Sequence, residues 1–172
     1  MKEFRLDEIP EGRGLLMASR ILVFALAMGV VVFGGVAAGV VFMGPKDAAD
    51  VGLPIVSYVM AALAVITLMM SFVIPAVVVA QMRRQVGELS PEKRPVALMP
   101  AFQTKTLLGC ASCEGGAFGN LIAFISEQQI WTFGIAGVLL LVILSRFPTE
   151  AGIENFVQRE LEMIELDQGR RD

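Results

Sequence analysis

The sequence predicts an all-α membrane protein, in which a bundle of four transmembrane helices is followed by a C-terminal amphipathic helix in the cytoplasm. Hydrophobic residues make up 55% of the 172 residues, and the mean hydropathy is +0.68. The apolar residues are gathered into runs long enough to cross a bilayer. No connecting segment could hold a soluble domain, so residues 1–172 are expected to form a single integral membrane domain. The four predicted spans cover about residues 21–43, 54–80, 103–126 and 130–146.

Charge and composition exclude several classes of function. The net charge is −3 and histidine is absent. Without a basic patch, nucleic acid is not an expected partner. The lack of histidine removes the commonest general base and metal ligand, and with it any Ser-His-Asp site. We therefore expect no cofactor and no metal, and a non-enzymatic role is favoured.

The first predicted span follows a polar segment, residues 1–20, that mixes acidic and basic side chains. A signal peptide would have a short basic start and a brief apolar core. This segment is therefore interpreted as a cytoplasmic tail that leads into a retained span. Within the span, Gly35 and Gly39 have the GxxxG spacing of helix contacts in membranes.

Prolines punctuate the second span and the loop after it. Pro54 suits a first helical turn. Pro75 lies inside the span and should free a backbone carbonyl, which Ser71, four residues earlier, could help to satisfy. The predicted loop that follows, residues 81–100, contains three prolines, which are expected to prevent one continuous helix from joining the spans. These are Pro91, Pro95 and Pro100.

The third span carries an acidic residue, Glu114, near its middle. If the hydrocarbon part begins near Thr106, Glu114 lies about 12 Å inside it, at 1.5 Å per residue. A carboxylate there costs about 2.5 to 3.5 kcal/mol on insertion scales, which makes Glu114 an ion-binding candidate. The alternative is a neutral carboxyl that donates a structural hydrogen bond to a neighbouring span.

Rotation at 100° per residue places the small side chains of this span on one face, with the spacing of a packing surface. Asn120 lies at the edge of that face and could hydrogen-bond across it. Glu114 lies on the opposite face and should point toward a second helix, another protomer or lipid. The residues of this small-residue face are Gly109, Ser112, Gly116, Gly119 and Ala123.

Cys110 and Cys113 form a CxxC inside the same span. Thiolates are disfavoured in apolar surroundings, so the cysteines are interpreted as small packing residues. Membrane oxidoreductases that pass electrons to quinone resemble this chain in having four helices and a CxxC, but they use a second cysteine pair. A thiol redox role is therefore the least favoured alternative.

The fourth span begins near Trp131 and ends near Arg146, which are typical interface residues. Thr149 is a predicted N-cap for a final helix, Glu150–Asp167. One side of that helix is apolar and the other is acidic, so we expect it to dock on the chain's own loop or on a cytoplasmic partner. The apolar positions are Ile153, Phe156, Val157, Leu161 and Ile164, and the acidic positions are Glu150, Glu154, Glu160, Glu162 and Glu165.

Two resemblances involve the third span. Arg94-Pro95 in the preceding loop, with Glu114 followed by GGAFGNLIAF, resembles the second half of the proteolipid (c-type) subunits of rotary ATPases. That likeness implies that Glu114 carries a proton or a sodium ion. The stretch LLGCASCEGGAFGNLIAF, with its Glu-Gly-Gly-Ala-Phe motif, is similar to a motif of small four-span bacterial membrane proteins, which supports the topology and implies no activity.

Charge asymmetry predicts the orientation. Lys46 is the one basic residue in a predicted outer loop, so both termini are expected in the cytoplasm of an inner-membrane protein. The favoured function is a structural or interaction subunit that contacts the lipid bilayer and either its own copies, as a homo-oligomer, or other membrane-protein subunits. The alternative is a proton- or cation-handling subunit centred on Glu114.

Overall fold

The computed structural model describes residues 10–44 and 53–170, and the side chains from Gly12 onward. Helix is the one regular secondary structure in these two ranges, which confirms the all-helical class. Lys46 of the expected outer loop and most of the N-terminal tail lie outside the described residues. The helices are α1 (Pro10–Met43), α2 (Ile55–Gly87), α3 (Arg94–Glu127), α4 (Ile130–Ser145) and α5 (Glu150–Gly169).

Three of these helices, α1, α2 and α3, are long and apolar enough to cross a membrane. The fourth, α4, has 16 residues and meets the same test together with α5, from which it is bent by 74°. Length and composition therefore indicate a membrane protein with three spans, or up to four if the bent pair of α4 and α5 forms one.

The helix α3 lies at the centre of the molecule and packs against all four other helices. The helix α4 contacts both α1 and α2 on one side of α3. On the other side, α1 and α2 scarcely touch, so a strip of α3 stays exposed between them. We call this strip the open face of α3; it consists of Ala111, Gly115 and Ile122.

The loop between the second and third spans is much shorter than expected. The helix α2 continues to Gly87 and α3 begins at Arg94, so the break covers residues 88–93. Pro95 lies in the first turn of α3, and Pro100 lies inside the helix, so its assignment to a loop was wrong. The helix tolerates Pro100 because both the proline and Val96, whose carbonyl it leaves free, are exposed to solvent.

The helix α5 packs its apolar side on α2 and α3 at the end of the molecule where most basic residues lie, here called the basic end. Its first turn is capped by Thr149, whose side-chain oxygen accepts a hydrogen bond from the Gly152 N–H at 3.1 Å. Glu160 was expected on the exposed acidic side. It is instead buried, because it pairs with Arg83 of α2 at 3.4 Å. A further partner of α5 would therefore meet its remaining acidic residues.

A carboxylate from α3 holds the start of α2 at the opposite end of the molecule. Glu127 accepts hydrogen bonds from the backbone N–H groups of Val56 at 2.9 Å and Ser57 at 2.7 Å. The preceding Pro54 supplies no side-chain cap. The first N–H groups of a helix lack partners within it and carry a partial positive charge, so a carboxylate satisfies both needs.

This contact should make the stability of the α2 start depend on pH. Desolvation raises the pKa of Glu127, but the interactions with Ser57 and the Val56 N–H outweigh it, so the pKa lies below the ordinary value of 4.5. A depressed pKa means that the stabilisation is fully present above the unfolded value and is lost as pH falls through the folded value. We expect Glu127→Gln to speed hydrogen exchange at Val56 and Ser57 near pH 7, and the difference from wild type to vanish in acid. A difference that stays constant with pH, or an equal effect of Glu92→Gln, would contradict this.

Candidate functional site

Glu114 faces α1, whereas the small-residue face of the central helix α3 faces α2. Its Oε1 atom lies 3.1 Å from the position that a Cβ on Gly29 would occupy, and the ring of Phe118 lies beside the same glycine. A glycine at position 29 therefore lets the carboxyl approach the backbone of α1. Within the described ranges, the Glu114 carboxyl has neither a hydrogen-bond partner nor an ion-pair partner, and its side chain is half-buried.

The position of Glu114 within the span makes the lack of a hydrogen-bond partner unfavourable in free energy. Glu114 is the one charged side chain between Thr106 and Ser126 of the third predicted span. The described parts of the other three predicted spans contain no charged side chain between the charges that flank them. A group at this depth is expensive unless another group accepts or donates a hydrogen bond. The structure thus places a chemically demanding group at the edge of the open face of α3.

The small-residue face of α3 packs against α2. A Cβ on Gly116 would lie 2.5 Å from Thr67 Oγ1 and 3.6 Å from the Cα of Ala64, and a Cβ on Gly119 would lie 3.1 Å from Met60 Sδ. Ala123 is fully buried, whereas the Ser112 hydroxyl donates within its own helix to the Leu108 carbonyl at 2.8 Å. The two antiparallel backbones approach closely because α3 presents hydrogen or methyl groups there.

Asn120 joins the same two helices. Its Nδ2 donates to the Met60 carbonyl of α2 at 3.1 Å and to the Gly116 carbonyl of α3 at 2.9 Å. The side chain is fully buried, and its Oδ1 has no hydrogen-bond partner among the described residues. The amide thus fixes the register of α2 on α3 while one acceptor stays unsatisfied.

The GxxxG of α1 makes no close helix contact among the described residues. A Cβ on Gly35 or on Gly39 would meet no atom within 4 Å among the described residues. The core-facing side of α1 is instead formed by neighbouring positions such as Gly34 and Ala37. Contact at Gly35 and Gly39 therefore stays a prediction, which a helix of another chain could fulfil.

Cys110 and Cys113 are free thiols, both fully buried in the core between α1, α3 and α4. Val23 and Ala27 of α1 and Leu139 of α4 belong to the same cluster. Apolar side chains therefore separate the thiols from both water and the bilayer. Across the described residues, no group of three or more His, Cys, Asp or Glu is arranged to hold a metal ion.

Sequence reasoning missed the role of Arg146. From the end of α4 its guanidinium passes Gly109 and donates to the Ser71 carbonyl and to Ser71 Oγ, both at 3.0 Å. The Ser71 carbonyl is the acceptor that Pro75 leaves free, because proline has no N–H for the usual helical bond. The Ser71 hydroxyl itself donates to the Leu68 carbonyl at 2.7 Å, so Arg146, and not Ser71 as expected, satisfies the backbone group that the proline exposes.

Arg146 also borders a cleft of about 600 Å³ between α2 and α3 at the basic end. We call it the basic cleft. Four cationic side chains and one carboxylate line it, together with apolar residues of α2 and α3. The charged residues are Arg83, Lys105, Arg146, Arg159 and Glu160. The sequence signal was present in part, because Lys105 and Arg146 each flank a span, but their convergence depends on how the helices pack.

The fold and these sites define a multi-helix membrane protein with a lone carboxyl inside one span and a basic cleft at one end. Comparison of the chain with protein-family models, curated proteins and solved structures finds no match. Glu114 and the basic cleft are therefore the two features of the molecule that bear on its function.

Proposed function

We propose that this chain is a four-span protein of the cytoplasmic membrane, with both termini in the cytoplasm, and that it serves as a structural or interaction subunit of a membrane complex. One observation carries the proposal. Glu114 lies within a span, at the edge of the open face of α3, and has no partner in the described part of its own chain. A partner helix that covers the open face would supply the missing hydrogen bond.

The helix α4 is short but has the composition of a span. Its 16 residues extend about 24 Å at 1.5 Å per residue, and they contain no charge. Trp131 at its start contacts Tyr58 of α2, with ring centroids 5.6 Å apart. Tryptophan and tyrosine favour the interface of a bilayer, and Arg146 marks the other edge. These features support α4 as the fourth span and α5 as a helix outside the membrane.

The orientation rests on the distribution of basic side chains. In the described ranges, all lysines and arginines lie toward the basic end, in the first three turns of α1, near the end of α2, just before or in the first four turns of α3, directly after α4, or on and directly after α5. Loops rich in lysine and arginine stay in the cytoplasm. The basic end, with both termini, is therefore assigned to the cytoplasm.

Cysteine labelling in intact cells tests this orientation. The background is the Cys110→Ala/Cys113→Ala variant, which we expect to assemble because both thiols act as packing groups. In it, Ala48→Cys should react with a membrane-impermeant maleimide from outside, and Glu88→Cys should react only after the membrane is opened. The reverse pattern would refute the orientation, and labelling at both sites from one side would refute the number of spans.

Substitution of Glu114 tests the subunit role. If the carboxyl hydrogen-bonds a partner helix, Glu114→Leu should weaken the complex by about 1 to 2 kcal/mol, whereas Glu114→Gln, which can still donate, should preserve it. Native mass spectrometry in nanodiscs would measure the fraction in complex. Val32→Leu, an apolar change on the exposed side of α1, is the control. Equal complex formation by the Leu variant and the wild type would contradict the proposal.

The alternative function is ion handling, and the same carboxyl favours it, since a half-buried acid without a partner could bind a proton or sodium ion. In that case Glu114→Gln should preserve the oligomer but abolish activity, and a hydrophobic carbodiimide should modify the wild-type carboxyl. A closed ring of many copies would also favour this function. The structural role is preferred because the described spans contain no second carboxylate and no histidine to relay a proton.

A further inference from the structure

The side chains that line the basic cleft carry a net positive charge, because four are cationic and one is a carboxylate. Its one carboxylate, Glu160, is paired with Arg83 at 3.4 Å. Arg146 donates to a neutral carbonyl and a neutral hydroxyl of Ser71. Lys105 and Arg159 form neither a hydrogen bond nor an ion pair with any described residue. One carboxylate thus serves four cations: Glu160 also attracts Lys105, but Lys105, Arg146 and Arg159 have no ion pair of their own among the described residues.

These three cations are close enough to repel one another. Arg159 and Arg146 both act on the Lys105 ammonium with like charge. Lys105 lies 5.0 Å from the centroid of the Phe156 ring, and Arg146 lies 4.5 Å from that of Phe72. The aromatic faces hold the cations in place but do not neutralise them. The arrangement fits an anion with several acceptor oxygens, such as a phosphate group.

The walls of the cleft fit an apolar group beside that anion. Phe72, Ala76 and Val79 of α2 line it, together with Phe102 of α3. Phe72 is 61% exposed on the outer side of α2, where a span meets lipid, and Arg159 is exposed at the end of the molecule, outside the spans. The cleft is therefore open to the bilayer beside Phe72 and open to water beside Arg159, at the depth of the lipid headgroups.

We infer that the basic cleft binds an acidic phospholipid, with the phosphate held by Lys105, Arg146 and Arg159 and an acyl chain lying along Phe72 and Ala76 of α2. Basic pockets between spans at the cytoplasmic surface are a common way to hold acidic headgroups. This inference rests on the proposed membrane placement of the basic end, and it does not depend on a partner protein or on Glu114.

Native mass spectrometry of the purified chain in detergent, titrated with phosphatidylglycerol or phosphatidylcholine, tests the inference. We expect one tightly bound phosphatidylglycerol and much weaker binding of phosphatidylcholine. Lys105→Gln/Arg159→Gln should weaken phosphatidylglycerol binding about thirtyfold. The matched control is Arg84→Gln/Lys93→Gln, which removes two exposed charges from the same end but outside the cleft and should change binding less than about threefold.

Three results would overturn the inference: equal affinity for the two lipids, an equal loss in the control pair, or displacement of the lipid by millimolar inorganic phosphate, which would identify a free anion as the ligand. If the cleft variant does not fold, the melting temperature of the wild-type protein decides, since phosphatidylglycerol should raise it and phosphatidylcholine should not. The measurement uses the chain alone, so absence of lipid binding would not contradict the proposed subunit role. Loss of the Glu114-dependent complex, in turn, would not change lipid binding.

Discussion

Replacing Arg146 with leucine is expected to lower the free energy of unfolding by about 1.5 to 5 kcal/mol. The substitution removes the donors to the Ser71 carbonyl, and a buried acceptor without a partner costs about 1 to 3 kcal/mol. It also removes the contact of the guanidinium with the Phe72 ring, which contributes roughly another 0.5 to 2 kcal/mol. Titration with dodecyl sulfate in mixed micelles would measure the change, and Arg84→Leu at the same end is the control.

A second substitution shows whether the carbonyl is the cause. In Pro75→Ala, the new N–H at position 75 can bond to the Ser71 carbonyl within α2, so the carbonyl no longer needs Arg146. The effect of Arg146→Leu should therefore be smaller in the Pro75→Ala background, by about 1 to 3 kcal/mol. Additive effects of the two substitutions would show that Arg146 acts through the cleft or through packing and not through this backbone group.

Gly116→Ala is expected to destabilise the protein by about 1 to 3 kcal/mol through overpacking. The new methyl would lie 2.5 Å from Thr67 Oγ1 and 3.1 Å from Leu139 Cδ1. Thr67 cannot easily turn aside, because its branched side chain is restricted in a helix and its hydroxyl donates to the Ala64 carbonyl at 3.0 Å. The two helices would have to separate, and the close contact along α2 and α3 would be lost.

The neighbouring glycine is a matched control for this substitution. A Cβ on Gly115 meets no described atom within 4 Å, so Gly115→Ala measures the helix propensity of alanine without the clash. Thr67→Ala should rescue Gly116→Ala, since it removes the atom that the methyl would strike. The same micelle titration would measure Gly116→Ala, Gly115→Ala and the double variant Thr67→Ala/Gly116→Ala. Equal stabilities of Gly115→Ala and Gly116→Ala would contradict the close contact.

The faces of α3 could be predicted from the sequence because helical periodicity depends on the chain alone. A rotation of 100° per residue placed Gly109 and Gly116 together and Glu114 opposite them. Which helix covers each face could not be predicted, because apolar spans resemble one another. The GxxxG of α1 predicted a helix contact on that helix, yet the small-residue face packs against α2, which has no glycine between Met60 and Ala80.

The contacts that fix the two ends of the molecule were missed for a different reason. Arg146 and Glu127 both bind backbone groups of α2. A backbone carbonyl or N–H has the same chemistry at every position, so it leaves no pattern in the sequence that would identify its partner. Pro75 was the one available signal, since it shows that the Ser71 carbonyl needs a donor from elsewhere.

The central place of α3 has a consequence for biogenesis. A ribosome delivers α1 and α2 to the membrane before α3 exists, and these first two helices scarcely touch each other in the finished protein. Their mutual contact is therefore too small to hold them together as a pair, and both helices stay unpacked in the bilayer until α3 is inserted. Chains released after α2 would leave both helices unassembled and open to membrane proteases. Packing of α1 and α2 can thus begin only after α3, which ends at Glu127, has been made and has entered the membrane.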